Sequence, residues 1–398
     1  MVQIIIRNIR RHRNQSIVTV AICLFLVLLL NLYFGSISGN EKQLMDFAKI
    51  TSINCRVTNL NGTRSEAIVV SEDVVDRLQE TSRVKDEKYT VRLMAGVGEF
   101  AAKDWKENLN IFAMGINDVA AIPEFKGEIS ETFIQSTDDI CIMSKAWLEA
   151  NGQKIGDILP ITFYYYDYSD IYQIKCHPLD TINMKIVGGM EPPNSTLEQL
   201  PIEMVLPIEM VKKVYHRNQI PFAVDSMSFS VANPLELNEF KQEMEDIGFL
   251  TKAPDARDAY EGNSLTVNDT VFRTIASQLR QSIAVLKAFF PLVCITICII
   301  GYITSFLLIS SRQREFALMR CLGMSAIAGM TTLFLEQMIL IIIGIVVGSL
   351  VSLLAARDLG SVGQANVIIF VGYLVGTGIA LIRIGRKNAM RLLFEKGR

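Results

Sequence analysis

Four long apolar runs set the pattern of this chain, one near its start and three bunched toward its end. The first, Ser16 to Phe34, holds 19 residues without a charge, and the second, between Lys287 and Arg312, holds 24. At about 1.5 Å per helical residue the second reaches roughly 36 Å, enough to cross a hydrocarbon core of about 30 Å with some tilt. A third run extends from Ile327 to Ala356, and a fourth, Val367 to Ile382, is carried back to Leu359 by uncharged residues. Each is predicted to span a membrane.

Between the first two spans the chain breaks into short pieces of alternating type. Strands are predicted at Ser52–Thr58, Ala67–Val70, Tyr89–Met94, Leu109–Met114, Asp139–Met143, Leu159–Tyr166, Asn183–Val187, Glu203–Leu206 and Ser226–Val231. Helices are predicted at Ser71–Gln79, Ser144–Asn151, Ile208–Arg217 and Pro234–Ile247. The mixture implies an α+β unit large enough for two subdomains, one made from both ends of the segment around an inserted middle. Before the second span, Ile275, Leu279, Ile283 and Leu286 fall on one helical face. That stripe predicts a stalk continuous with the second span and packed on the stalk that follows the first. Between the second and third spans, Phe316, Met319 and Leu322 recur at helical spacing among Arg312, Arg314, Glu315 and Arg320. A short amphipathic helix ending at Gly323 is expected there, placed so that a cytoplasmic partner gripping it would pull on both spans.

Charge orients these elements. Residues 1–15 carry four Arg and no acid, and 383–398 six Lys/Arg against one Glu. Residues 36–287 carry 25 Lys/Arg against 37 Asp/Glu, hidden under a net charge of −2. Short basic segments beside spans belong in the cytoplasm, which puts both termini and the 312–325 loop inside and the acidic segment outside. The expected order is a basic cytoplasmic segment 1–15, span 16–35, outer domain 36–268, stalk and span 269–311 and cytoplasmic hinge helix 312–326. Span 327–356, outer loop 357–366, span 367–383 and a basic cytoplasmic tail 384–398 follow. The arginines of the first segment, Arg7, Arg10, Arg11 and Arg13, are expected among lipid headgroups. Hydrophobic residues make up 50% of the chain and charged ones 20%, with a mean hydropathy of +0.30, which suits a few spans plus a large aqueous domain. The basic clusters sit only where topology accounts for them, so no nucleic-acid role is expected.

Candidate chemistry is sparse. No G-x-x-x-x-G-K-S/T, H-E-x-x-H or G-x-S-x-G occurs, so no nucleotide cradle, zinc-protease helix or nucleophile elbow is expected. His177 and His216 lack an acidic or nucleophilic partner by spacing. Cys55, Cys141 and Cys176 are an odd number without CxxC spacing, which leaves one bridge or reduced buried thiols open. Cys294 and Cys298, one turn apart in a span, read as small apolar packing residues. Glu336, beside Gln337 in the third span, costs roughly 2.5–3.5 kcal/mol at mid-helix and reads as a polar contact within the bundle, to Arg320 or to a second protomer. Gly344-x-x-x-Gly348 and Gly372-x-x-x-Gly376 permit close helix approach. The run Phe163 to Tyr172, six aromatics in ten residues, reads as a strand and turn with one face in the core, or as an exposed contact.

Several of these residues resemble the MacB/FtsX-like permeases of type VII ABC transporters. The hinge, Arg314-Glu-Phe-Ala-Leu-Met-Arg-Cys-Leu-Gly-Met-Ser325, is similar to that family's R-E-I/F-A/G-x-M/L-R-A-L-G-A-S/T segment, with Cys321 in place of the usual Ala. Leu333-Phe-Leu-Glu336 resembles its F-L-x-E, and Arg7-Asn-Ile-Arg-Arg-His-Arg13 its R-N-L-x-R-x-K/R lead-in. In the outer segment, Ile140 to Asp157 and Met184 to Gly189 resemble two further family passages in the same order. The resemblance implies four transmembrane α-helices and a large α+β extracytoplasmic domain of porter-like and Sabre-like subdomains between spans 1 and 2. It implies a permease dimer, homomeric or heteromeric, in a bacterial inner membrane, with a separate ATPase subunit holding ATP and Mg²⁺. This chain itself is expected to bind no cofactor and to catalyse nothing. Arg314, Glu315, Phe316, Leu318 and Arg320 are expected to contact the ATPase, and Glu336 to stabilise the bundle. The implied task is mechanical: ATP-driven efflux or extraction of antimicrobial peptides, drugs or lipid-linked molecules. The alternative is an FtsX-type signalling protein that activates a cell-wall hydrolase or a sensor; a membrane-anchored enzyme lacks the residues for it.

Overall fold

The computed structural model describes residues 10–99, 110–122, 129–167, 175–191, 201–254, 262–321, 323–356 and 359–385. Arg7, the aromatic positions 168–172 and the tail from 386 lie outside the described residues. Helix α1 (Arg13–Ile50) comes first. Then follow β1 (Asn54–Asn59), β2 (Val70–Ser71), α2 (Glu72–Glu80), β3 (Val84–Val97), β4 (Ile111–Ile116), β5 (Ile140–Ser144) and α3 (Lys145–Asn151). Next are β6 (Ile158–Asp167), β7 (Lys175–Met190), β8 (Met204–Pro207), α4 (Ile208–Arg217), β9 (Ala223–Val224), β10 (Ser226–Val231), α5 (Leu237–Ile247) and β11 (Asn263–Val267). Helices α6 (Thr270–Ser311), α7 (Gln313–Cys321), α8 (Ala326–Ala356) and α9 (Leu359–Gly385) complete the order. Two units result: Met1–Asp46 with Thr274–Arg398, and the inserted Phe47–Arg273.

The inserted unit is organised by its long strand β3. Its first residues pair with β10, from Val84 opposite Val231 to Thr90 opposite Ser226. Farther along, Thr90 to Ala95 pair with β4 on one edge, and Leu93 to Val97 pair with β6 on the other. Among the described residues the order β3-β4-β8-β5-β7-β6 therefore returns to β3, closing a six-stranded ring without a free edge. Beyond β10, strands β1 and β11 extend an antiparallel sheet. Helices α2 and α5 belong with this sheet: they bury Val75, Leu78, Phe240, Met244 and Ile247, and Phe240 meets Phe229 of β10 at 6.4 Å between ring centroids. The sheet comes from both ends of the segment, and the ring mostly from the middle. Strand β11 was not expected, because Asn263-Ser-Leu-Thr-Val267 carries little apolar signal and forms by pairing with β1. His216 meets Glu72 at 2.9 Å, a contact between α4 and the start of α2. Cys55 and Cys141 are free, buried thiols, both pushed up to about 12 by burial. Asp225, between β9 and β10, accepts from Thr90 Oγ1 at 3.1 Å and from the Arg92 amide. Burial pushes its carboxyl up to about 6, against the downward pull of Arg92.

In the other unit, four helices among the described residues are long and apolar enough to cross a membrane: Arg13–Ile50, Thr270–Ser311, Ile327–Leu354 and Val362–Arg383. Cys23, Val27 and Leu30 of α1 pack with Ile297 of α6, Ile341 of α8, and Ile369 and Tyr373 of α9. The stripe ahead of the second span faces inward, with Ile283 buried and Ile275, Leu279 and Leu286 half-buried. Lys287 meets Glu41 at 2.8 Å, Phe34 meets Phe290 at 6.0 Å, and the Tyr33 hydroxyl donates to the Leu286 carbonyl, joining α1 to α6. The glycine pairs sit at close approaches. A Cβ on Gly344 or Gly348 would fall 2.7 Å from Cys23 Cβ or 2.8 Å from Val27 Cγ1, both on α1. On α9, a Cβ on Gly372 would meet Ile297 Cγ2 at 2.9 Å, and one on Gly376 the Tyr302 backbone nitrogen at 2.5 Å. The expected outer loop 357–366 is corrected: α9 already begins at Leu359, so Gly360, Ser361 and Gly363 lie in its first turns despite their loop-like composition.

Candidate functional site

The hinge lies where α6 hands over to α7. Arg312 is the joint: its amide donates to the Ile309 carbonyl at 3.0 Å, and its carbonyl accepts from the Phe316 amide at 3.0 Å. Helix α7 then runs only nine residues before Gly323, whose φ of +94° ends the segment in a conformation that glycine adopts without strain.

The Arg312 side chain turns into the bundle, where its Nη1 pairs with Glu336 Oε1 of α8; each side chain is 1% exposed. Glu336 thus meets Arg312, which was not among its expected partners, Arg320 or a second protomer. Arg312 Nε and Nη2, Glu336 Oε2 and Gln337 Oε1 are buried without a hydrogen-bond partner among the described residues. An ion pair so enclosed gains little net stability, because desolvation offsets the attraction, but loss of one partner strands a charge. Beside it, Gln337 Nε2 donates to Ser305 Oγ at 3.4 Å, and Ser305 meets Thr377 at 2.8 Å. Polar side chains therefore connect α6, α8 and α9 just beneath the joint.

The five hinge residues separate by environment. Phe316 is 1% exposed, in a cluster with Ile309, Ala317, Leu333, Ala380 and Leu381. A Cβ on Gly329 would fall 2.8 Å from its ring, so Phe316 fills a site that only glycine leaves open. Its expected contact with an ATPase is therefore corrected to a packing role, since amphipathic spacing shows a buried face without saying what covers it. Glu315 accepts from His12 Nε2 at 3.1 Å, with Arg11 Nη1 at 3.9 Å. Leu318 is 55% exposed. The side chains of Arg314 and Arg320 lie outside the described residues.

The FtsX-like permease C-terminal family matches residues 288–385, which include the membrane part of α6 and all of α7, α8 and α9. That match spans about a quarter of the chain and is confined to its last three apolar helices and α7. No curated protein matches it. Among solved structures it is similar to the periplasmic region of MacB from Actinobacillus actinomycetemcomitans, at 10% identity and a TM-score of 0.32, over 56% of this chain and 92% of that one. It is also similar to the extracellular domain of the noncanonic ABC-type transporter YknZ from Gram-positive bacteria, at 14% identity and a TM-score of 0.30, over 54% and 100%. A domain of a putative permease protein from Porphyromonas gingivalis gives 12% and 0.31, over 54% and 88%. The joint, its buried ion pair and α7 all fall within the residues that match the FtsX-like permease C-terminal family. Arg312 was missed as a site residue because it sits 24 positions from Glu336. The available signal was that Glu336 is the only acid between Phe316 and Ala356, so an internal cation had to be sought.

Proposed function

We propose that this chain is the transmembrane subunit of an ABC transporter, driven by a separate cytoplasmic ATPase that binds the exposed side of α7. One observation carries the reading: a nine-residue helix lies between two spans with its joint residue ion-paired to the second of them. Because Arg312 joins α6 to α7 and Glu336 lies on α8, a push on α7 is felt by both flanking helices. In this reading ATP binding displaces α7, and α1 and α6 carry the movement to the inserted unit. That unit expels or extracts an antimicrobial peptide, drug or lipid-linked substrate at the outer face of a bacterial inner membrane. Two permease chains pair, both termini are cytoplasmic, and ATP and Mg²⁺ stay on the partner. Leu318, with Arg314 and Arg320, makes the contact, while Phe316 holds the helix from behind.

The test is copurification of the full chain with its nucleotide-binding subunit. Leu318→Asp with Arg320→Glu is expected to release that subunit without lowering the unfolding temperature of the permease. A complex that survives the double change overturns the docking site. For transport, cells whose partner cannot hydrolyse ATP should lose tolerance to a peptide or drug. Unchanged tolerance together with defective wall-hydrolase activation selects the signalling role instead.

A further inference from the structure

The residues on either side of the start of α1 lie against the hinge. His12 Nε2 donates to Glu315 Oε1 at 3.1 Å, Arg11 Nη1 stands 3.9 Å from the same oxygen, and Ser311 Oγ donates to Gln15 Oε1 at 2.9 Å. These contacts join positions some 300 residues apart in sequence and place the two chain regions side by side at the joint. They also change what the hinge offers to a partner. Glu315, the only acid on α7, is already engaged within the chain. Arg10, Arg11 and Arg13 are exposed, with the Arg11 side chain 77% exposed. Leu318 follows Glu315 at i, i+3 and so shares its helical face, and Met324 is exposed beyond it. The result is a basic border beside exposed apolar residues, contributed by two distant parts of one chain.

We propose that residues 10–15 and α7 form one composite docking surface, and that the ATPase subunit grips it with an acidic rim around an apolar slot. The proposal rests on the α7 docking reading and adds the partner's chemistry and a second contact region. Charge complementarity is the argument for that partner: the only acid on this face already has partners within the chain, and the other charged residues of the surface are all basic. The competing occupant of the arginines is an anionic lipid surface.

The experiment places a photocrosslinking amino acid at Arg11, Arg13 or Leu318 of the full chain in cells and identifies each adduct by mass. Positions 11 and 318 are expected to capture the same nucleotide-binding subunit. In the purified complex, Arg10→Gln, Arg11→Gln and Arg13→Gln are each expected to weaken binding roughly twofold to fivefold, the scale of an exposed charge contact. Because these arginines also orient the first span, a second variant leaves them in place: His12→Ala with Glu315→Gln frees the segment, and should abolish capture from 11 while sparing capture from 318. Capture from 318 but not from 11 or 13 overturns the composite surface and leaves the α7 reading intact. Capture from none of the three overturns both. Lipid adducts alone from 11 and 13 make the segment a membrane anchor and also overturn the proposal.

Discussion

Glu336→Gln keeps the side chain's size and one acceptor for Arg312, but leaves a guanidinium without its counter-charge at a site 1% exposed. A lone charge at mid-helix costs about 2.5–3.5 kcal/mol on insertion scales, and removing one partner of a buried pair about 3–5 kcal/mol. A loss of about 4 kcal/mol is close to a thousandfold in the folding equilibrium. Arg312→Met should cost a similar amount, because the carboxylate is then stranded. Replacing both residues by Met removes the two desolvation penalties along with the attraction, so the double variant is expected within about 1 kcal/mol of the parent, or above it. Equilibrium unfolding of the full chain in mixed micelles, run for the parent, both singles and the double, measures the coupling directly. If Glu336→Gln costs under about 0.5 kcal/mol, or the two single costs simply add in the double, the pairing at the joint is wrong. The account of how α7 is anchored then goes with it.

Phe316→Ala should destabilise the chain by about 3–5 kcal/mol in the same assay, whereas Leu318→Ala should leave stability within about 0.5 kcal/mol and weaken binding of the proposed partner. Gly376→Ala should cost more than Gly372→Ala, because its new methyl meets the Tyr302 backbone at 2.5 Å while the other meets the movable Ile297 side chain; helix association in micelles reads the difference. Asp225 supplies a pH dependence. Its carboxyl is held above the ordinary range, near 6, so the folded state favours the protonated form and the stabilising contribution present below about pH 4 is lost as pH rises through 6. Thermal melts at pH 5 and 7 should therefore show the parent losing stability relative to Asp225→Asn across that interval, and a constant difference would contradict the assignment.

Span lengths, basic flanks and the inward stripe before the second span were legible because membrane insertion and helix packing act on composition and a 3.6-residue period. Most strands of the inserted unit were legible for the same local reason, but β9 and β11 were not, since short or weakly apolar strands form only by pairing. Strand β3 was read only over Tyr89–Met94, because its start, Val84-Lys-Asp-Glu-Lys88, is polar and is held by β10 rather than by its own pattern. The closure of the ring through β3 and β6 was invisible, since it depends on pairing between residues some 70 positions apart.

At the hinge the division is sharper. The chain by itself determined that a charged helix sits between two spans, that an acid lies in the third, and that two glycine pairs mark helix faces, since each is a property of neighbours in sequence. Only the tertiary structure decided that Phe316 points inward, that Glu336 belongs to Arg312, and that His12 takes Glu315. Amphipathic spacing defines a face but not what covers it, and a buried charge requires a partner without naming it. Both choices are made by whichever distant side chain the packed helices bring within reach.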